Sequence, residues 1–318
     1  MDLIYTDAER VDKGVLSAYA FDLSFGVEEN NYEIVLGISE AVLEYKAFIY
    51  VEGTEYGGII DAKNTNTNKP SIKYMGRTWH GILNSKVIQP DPGENYLVVS
   101  GDANEIIAAI IDRLGLSGLF VADEEPSGFN ITRYQFHRYC KGYDGFRAML
   151  AANGAKLKIV WKDRAVHLSA VPIVDYTETP VDGDEAVLSV EQHEAKVNHL
   201  VCLGAGNLAE REVIHLYADQ AGNIVDVPYY TGLDEIADVY DNSNSEDLRS
   251  DGTQNMKELR DNDKAEILLA EDDNPTYDIG DIVGATDVQT GVSASAAVSQ
   301  KIVRINNGVV STEYKTGS

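Results

Sequence analysis

Asn307-Gly308 is the dipeptide that most restricts what this chain can fold into. A two-residue hairpin turn of type I′ needs φ > 0 at both central positions, and Asn-Gly tolerates that best. Placing the turn there sets a register: Ile305 faces Val310, Val303 faces Thr312 and Lys301 faces Tyr314, while Arg304 and Ser311 fall on the other side. One face is mostly apolar and the other more polar, as a half-buried antiparallel ribbon requires. Upstream, Ile279-Gly280-Asp281-Ile282-Val283 reads as a short strand, Thr290-Gly291 as a turn, and the run from Val292 as a strand of small residues. Residues Tyr277 to Lys315 are therefore expected to form a series of strands closing a small barrel.

The start of the chain carries similar signals. Tyr32 to Leu36 and Phe48 to Val51 are strand-like, Glu52-Gly53-Thr54-Glu55 and Tyr56-Gly57-Gly58 are turns, and Ser71 to Met75 and Thr78 to Ile88 read as further strands around a polar loop at Asn64 to Pro70. Trp79, between strands, is expected in the core. Pro90-Asp91-Pro92-Gly93 ends this pattern. Asp102-Ala103-Asn104-Glu105 resembles a capping box in which Asp102 accepts the N3 amide, and Ile106, Ile107, Ile110, Ile111 and Leu114 follow at helical spacing up to Gly115. A second helix is expected from about Asp144 to Ala152, then a hairpin of Lys156 to Trp161 and Ala165 to Ala170. Beyond Val171 the pattern returns to strands: Ser189 to Lys196, Val197 to Leu203, and Glu212 to Tyr217 turned through Ala221-Gly222-Asn223. Short helical pieces are expected at Leu233 to Val239 and Thr253 to Arg260, and a loop at Glu271 to Pro275. The expected fold is mainly β with an α+β insertion, dividing into 1–90, 91–171 and 172–318. The two β regions read as two small barrels or as one barrel split by the insert.

Charge excludes some functions. The 318 residues carry 52 acidic and 26 basic side chains, a net charge of −26, and residues 172–318 hold 29 of the acidic and 9 of the basic ones. Nucleic-acid affinity comes largely from Lys and Arg displacing counterions, so such a surface is a poor phosphate binder. The basic residues gather in the insert: Arg133, Arg138, Lys141, Arg147, Lys156, Lys158, Lys162 and Arg164. A solvated face is the simpler reading, and contact with an acidic neighbour the sharper one. No apolar run approaches the roughly 18 residues of a membrane helix, and MDLIYTDAER lacks the basic-then-apolar order of a secretory signal. Cys140 and Cys202 are far apart in sequence and read as two reduced, semi-buried thiols.

Residues that carry chemistry do not assemble into a motif. Gly204-Ala205-Gly206 leads into the strand-like Glu212-Val213-Ile214 and not a helix N-terminus, so it reads as a turn and not a dinucleotide loop. Of the six histidines, His80, His137, His167, His193, His199 and His215, the closest pair is His193 and His199, without a recognisable third ligand. Glu271, Asp272, Asp273, Asp278, Asp281 and Asp287 offer hard oxygen donors but do not follow a calcium-loop pattern, which leaves them as solvated turn acids. No Gly-x-Ser-x-Gly occurs, and carboxylate pairs are too many to single one out. The sequence predicts no enzyme, no catalytic, cofactor-binding or metal-binding residue, and no cofactor.

Three stretches resemble one family. The Ile-Gly-Asp-Ile-Val strand, Thr-Gly turn, Lys-Ile-Val-Arg-Ile strand, Asn-Gly hairpin and Glu-Tyr-Lys-Thr-Gly segment of the C-terminal region look like the end of tail (baseplate hub) proteins of prophages and siphoviruses. Val197 to Gly206 with Arg211 to Asp219, and Gly76-Arg77-Thr78-Trp79-His80-Gly81-Ile82-Leu83, are similar to the same family in the same order. The resemblance implies two barrels like those of tail-tube proteins, assembly as a homotrimer whose six barrels match a sixfold tube, and partners in the tail tube or distal tail protein and the tip or spike protein. It also implies passage of DNA through the ring without specific binding, no membrane partner, and a place in the virion tail after assembly in a bacterial cytoplasm. The alternative is a carbohydrate-binding or cell-wall-hydrolysing tail protein, for which Tyr229-Tyr230 is the best aromatic platform, though core packing suits that pair too.

Overall fold

The computed structural model describes residues 1–40, 42–178, 181–182, 186–191, 195–243, 245, 247–260, 264–270, 276–286, 291 and 293–317. The chain is mainly β and divides into two compact units, Met1–Leu188 with Glu266–Ser318, and Ser189–Ala265.

The first unit is organised by one long sheet. Its order is Asp12–Leu16, Leu3–Thr6, Phe48–Tyr50, Gly57–Thr65, Ser71–Thr78, Asn31–Gly37, Tyr19–Gly26, Ser293–Asn306, Val309–Thr316, Lys264–Ala270 and Ala186–Glu191. Asn307 (φ +50) and Gly308 (φ +85) make the hairpin turn, and the observed pairs Ile305–Val310, Val303–Thr312, Lys301–Tyr314 and Arg304–Ser311 are those the dipeptide sets. The same strand pairs on its other side with the start of the chain: Val303 lies opposite Leu23, and Ile305 opposite Phe21. The two ends of the sequence thus share a sheet. The small-residue run beginning at Ser293 is continuous with this strand, and its first half pairs with Ile282–Thr286. Phe21, Leu23, Phe25, Tyr32, Ile34, Val303, Ile305 and Tyr314 fill the core beneath.

Residues 79–172 pack as α+β. Helix α1 (Trp79–Asn84) replaces the strand expected from Thr78 to Ile88. Thr78 ends its own strand in extended geometry, and its hydroxyl accepts a hydrogen bond from the Gly81 amide at 3.3 Å. Trp79, His80, Ile82 and Leu83 are all buried, so this short helix shows no amphipathic period to read. Gly81 allows the approach: a Cβ there would lie 2.1 Å from the Asn30 carbonyl oxygen. Helix α2 (Ala103–Arg113) lies where its spacing places it, and Gly115 follows with φ +67. Asp102 caps the N2 amide of Asn104 and not the expected N3; its other oxygen accepts from the amide and hydroxyl of Ser127. Helix α3 (Gly142–Ala151) leads into the hairpin Ala155–Lys162 and Ala165–Pro172. Trp79 and Trp161 stack at 5.0 Å within the core of this region, beside Phe48.

The second unit has a four-stranded sheet ordered Ile224–Val225, Val213–Ala218, His199–Leu203 and Ala237–Asp241, covered by helix α4 (Leu248–Arg260). Leu248 and Met256 of the helix meet Leu200, Cys202, Leu216 and Ala218. The helical piece expected at Leu233 to Val239 is a single 3-10 turn, Gly232–Asp234, followed by a strand parallel to His199–Leu203. Pairing with a neighbouring strand here overrides local helix preference. Helix α4 begins five residues before the expected Thr253. The loop expected at Glu271 to Pro275 and the turn at Thr290 lie outside the described residues.

Candidate functional site

The side of the long sheet opposite its core is polar. One cross-strand row runs Ser311, Arg304, Asp22, Glu33, Met75, and the next runs Glu313, Ile302, Ser24, Asn31, Arg77. An open groove of about 610 Å³ runs along this side, lined by Asp22, Glu29, Glu33, Asp61, Arg77 and Arg304 among others. The two cations that line it are paired within the sheet: Arg77 holds both oxygens of Asp61 at 2.8 Å and Arg304 meets Glu313 at 3.0 Å, while Lys73 on a neighbouring position meets the lining Glu33 at 2.8 Å. With both arginines of this groove so engaged, it suits broad polar contact better than capture of a small anion.

The sheet also presents free edges. Strand Asp12–Leu16 ends it on one side, with Val15 54% exposed. Strand Gly57–Thr65 pairs with Phe48–Tyr50 only through Gly57, Gly58 and Ile59, and beyond Ile60 its outer edge is uncovered. Ala62 to Pro70 are exposed throughout, so the hairpin carrying the polar loop stands clear of the core. Unpaired backbone N–H and C=O groups of this kind template pairing with another chain.

Two buried ion pairs fasten the sheet. Lys301, which the hairpin register puts on the apolar face, is 2% exposed; its Nζ lies 2.9 Å from Glu55 and over the rings of Tyr56 and Tyr314 at 5.5 and 5.6 Å. Burial alone would raise the Glu55 pKa, but the Lys301 ammonium, with His80, outweighs it and holds the carboxyl at about 2. Burial works against the Lys301 charge as well, and Glu55 overcomes it, leaving the ammonium above its usual range. Glu55 was legible only as part of a turn. The signal that could have found it was Lys301 itself, a cation on an apolar strand face that needed a carboxylate. In the second pair, Lys156 Nζ lies 2.6 and 2.7 Å from the two oxygens of Asp281 and 2.9 Å from Asp278. Asp281, expected to be a solvated turn acid, is 1% exposed and also accepts the amides of Val174 and Asp278. Glu271, Asp272, Asp273 and Asp287 lie outside the described residues.

The remaining candidates separate. His80 is buried and stacked on Phe25 at 4.3 Å, and burial pulls its pKa down. His193 lies outside the described residues, so the expected pair with His199 is not on view. His199 meets His215 instead: its Nε2 is 2.9 Å from His215 Nδ1, and its Nδ1 is 2.6 Å from Glu235. Among the described residues no group of three His, Cys, Asp or Glu side chains is placed to hold a metal ion. Gly204 and Gly206 sit in the connection between two paired strands, closed by the Gly204 amide on Glu212 and the Glu212 amide on Ala205. Cys140 and Cys202 are free thiols, both pushed up in pKa by burial. Tyr229 and Tyr230 meet edge to face at 4.9 Å, with Tyr229 53% exposed. No helix among the described residues is long and apolar enough to cross a membrane.

No family model matches the sequence, and no curated protein matches it. Solved structures do. The prophage tail protein gp18 of Listeria monocytogenes is similar with a TM-score of 0.59 at 11% identity, over 100% of this chain and 94% of that one. The 43 kDa tail protein of prophage MuSo2 from Shewanella oneidensis gives 0.58 at 10% identity, over 99% and 98%. A chain of the phage P2 baseplate in its activated conformation gives 0.53 at 10% identity, over 100% and 99%. The chain has the fold of these tail proteins along its whole length.

Proposed function

We propose that this protein is a structural component of the tail of a phage or phage-like particle. In the finer reading it is a baseplate hub of a siphovirus-like tail. Copies form a ring, a homotrimer, that joins the tail tube or distal tail protein to the tip or spike and surrounds the DNA path. The observation that carries the reading is the fold likeness to tail proteins over nearly the full length of both chains. The long sheet supports it physically: a polar face and an uncovered edge from Asp61 to Thr65 are suited to lateral contact. A closed ring requires heterologous contacts between neighbours. Residues 1–90 and 172–318 would supply its barrel surfaces and 91–171 a separate docking region. The role is geometric and non-catalytic, in a particle assembled in the bacterial cytoplasm, and an acid-rich wall keeps DNA from adhering.

The test is electron microscopy of the chain produced alone and together with its tube and tip neighbours. Threefold rings at the tube–tip junction are the expected result. A chain that stays monomeric in the presence of both neighbours overturns the reading. The exposed Tyr229, packed edge to face on Tyr230, favours glycan contact as the second reading. Binding to glycan arrays or clearing of a cell-wall suspension would support it.

A further inference from the structure

The insert carries a surface unlike the rest of this acidic chain. Residues 130–164 contain eight Lys and Arg against two acidic side chains. Part of that charge is spent internally, Lys156 on Asp281 and Arg147 on Asp144. Among the described residues Arg133, Arg138 and Lys141 are exposed and have no carboxylate partner. Backbone pairing sets Lys141 beside Val87, and Gln135, between Arg133 and Arg138 in the chain, opposite Val98. Val87, Val98 and Tyr139 are 41%, 42% and 55% exposed. The Arg138 guanidinium lies 5.1 Å over the Tyr139 ring, which holds both side chains ready. Arg133 (φ +112) and Tyr139 (φ +59) both adopt left-handed backbone that such residues seldom take. Arg133 sits at the pairing irregularity of the strand Asn130–Gln135 and Tyr139 in the turn before α3, and strain of this kind gathers at sites of use.

We infer that this face forms one half of the contact between neighbouring copies and takes an acid-rich surface of a second copy of this chain. The inference rests on the ring reading. An arginine and a tyrosine amid apolar neighbours are the side chains that anchor protein interfaces. A DNA duplex is a poorer match: three cations release few counterions, the valines meet no phosphate, and the chain's net charge of −26 repels a polyanion. The chain itself supplies the complement, since residues 172–318 hold 29 acidic against 9 basic side chains. A basic face on one copy meeting an acidic surface on the next is a heterologous contact, the kind that closes a ring.

The test uses the full chain under the conditions in which wild-type rings form. The double variant Arg138→Glu, Lys141→Glu keeps the wild-type melting temperature, because both side chains are exposed, and weakens ring formation roughly tenfold or more. A photocrosslinker at Tyr139, in rings mixed from isotopically light and heavy copies, joins two copies through a peptide within residues 172–318. Normal rings from the folded double variant overturn the inference while leaving the ring reading intact. So does a crosslink confined to one copy or directed to another tail protein. Wild-type binding to duplex DNA at physiological salt, lost in the variant, assigns the face to nucleic acid and overturns it as well. If the wild type forms no rings with its neighbours present, the ring reading itself falls.

Discussion

Replacing Lys301 by methionine isolates the buried ion pair in the long sheet. Methionine keeps an unbranched apolar stem between Tyr56 and Tyr314 but leaves Glu55, whose side chain is 17% exposed, without its cation. Two routes give the magnitude. The Glu55 carboxyl is held at about 2 against an ordinary 4.5, which at about 1.36 kcal/mol per unit corresponds to about 3 kcal/mol. Removing one partner of a buried pair costs about 3–5 kcal/mol, and the residual exposure of Glu55 favours the lower end. The pH dependence has a definite sign. A carboxyl depressed in the folded state adds stability that is present above the unfolded value of 4.5 and is lost as pH falls toward 2. In the variant, burial acts on Glu55 without Lys301 to oppose it, and acid neutralises the stranded charge. The gap between wild type and variant therefore begins to narrow above pH 4.5, where the variant's Glu55 takes up its proton, and narrows further as pH falls toward 2. Urea unfolding followed by tryptophan fluorescence measures it, because both tryptophans, Trp79 and Trp161, lie in the unit that contains the pair. Adding Glu55→Gln to the variant recovers part of the loss. A deficit under about 1 kcal/mol at pH 7, or one unchanged at pH 4, refutes the reasoning.

Other substitutions probe the same sheet. Gly308→Val places a β-branched residue at φ +85, with its Cβ 3.3 Å from the Met1 nitrogen; a loss of about 1–3 kcal/mol in urea unfolding is expected, with impaired ring assembly. Gly76→Ala directs a Cβ to 1.8 Å from the Ile59 carbonyl oxygen, and a loss of about 3 kcal/mol or more is expected as a lower melting temperature or absent soluble protein. Asp281→Asn leaves Lys156 without its closest carboxylate and costs about 3–5 kcal/mol by urea titration at pH 7. The Lys156 pKa is raised, its carboxylates outweighing burial, so this contribution is present below the unfolded value of 10.5 and fades as pH rises past it.

Local chemistry made much of the fold legible. Asn307-Gly308 set the register of its hairpin residue by residue because only one turn geometry suits that dipeptide. Isoleucine spacing placed α2 for an equally local reason. What escaped the sequence depended on distant partners. Trp79 to Leu83 are buried all round and so show no period, and α1 read as a strand. Ala237–Asp241 is a strand because His199–Leu203 lies beside it. The union of the two chain ends in one sheet was left between one barrel and two. The candidate surfaces were less legible than the fold: the basic residues of the insert were visible as a cluster, whereas which of them lack partners depends on contacts made in three dimensions.

The pairing of Ser293–Asn306 with Tyr19–Gly26 has a consequence for synthesis. Translation adds about 5–20 residues per second, so the strand at residues 19–26 waits roughly 15–60 s for its neighbour. During that time the strand is covered on one side by Asn31–Gly37 and open on the other. An open, alternating strand edge is a site for aggregation, and the nascent chain needs protection there. Once the late strand is added, that edge closes, and joining other copies through the finished sheet becomes possible only after translation has passed the hairpin.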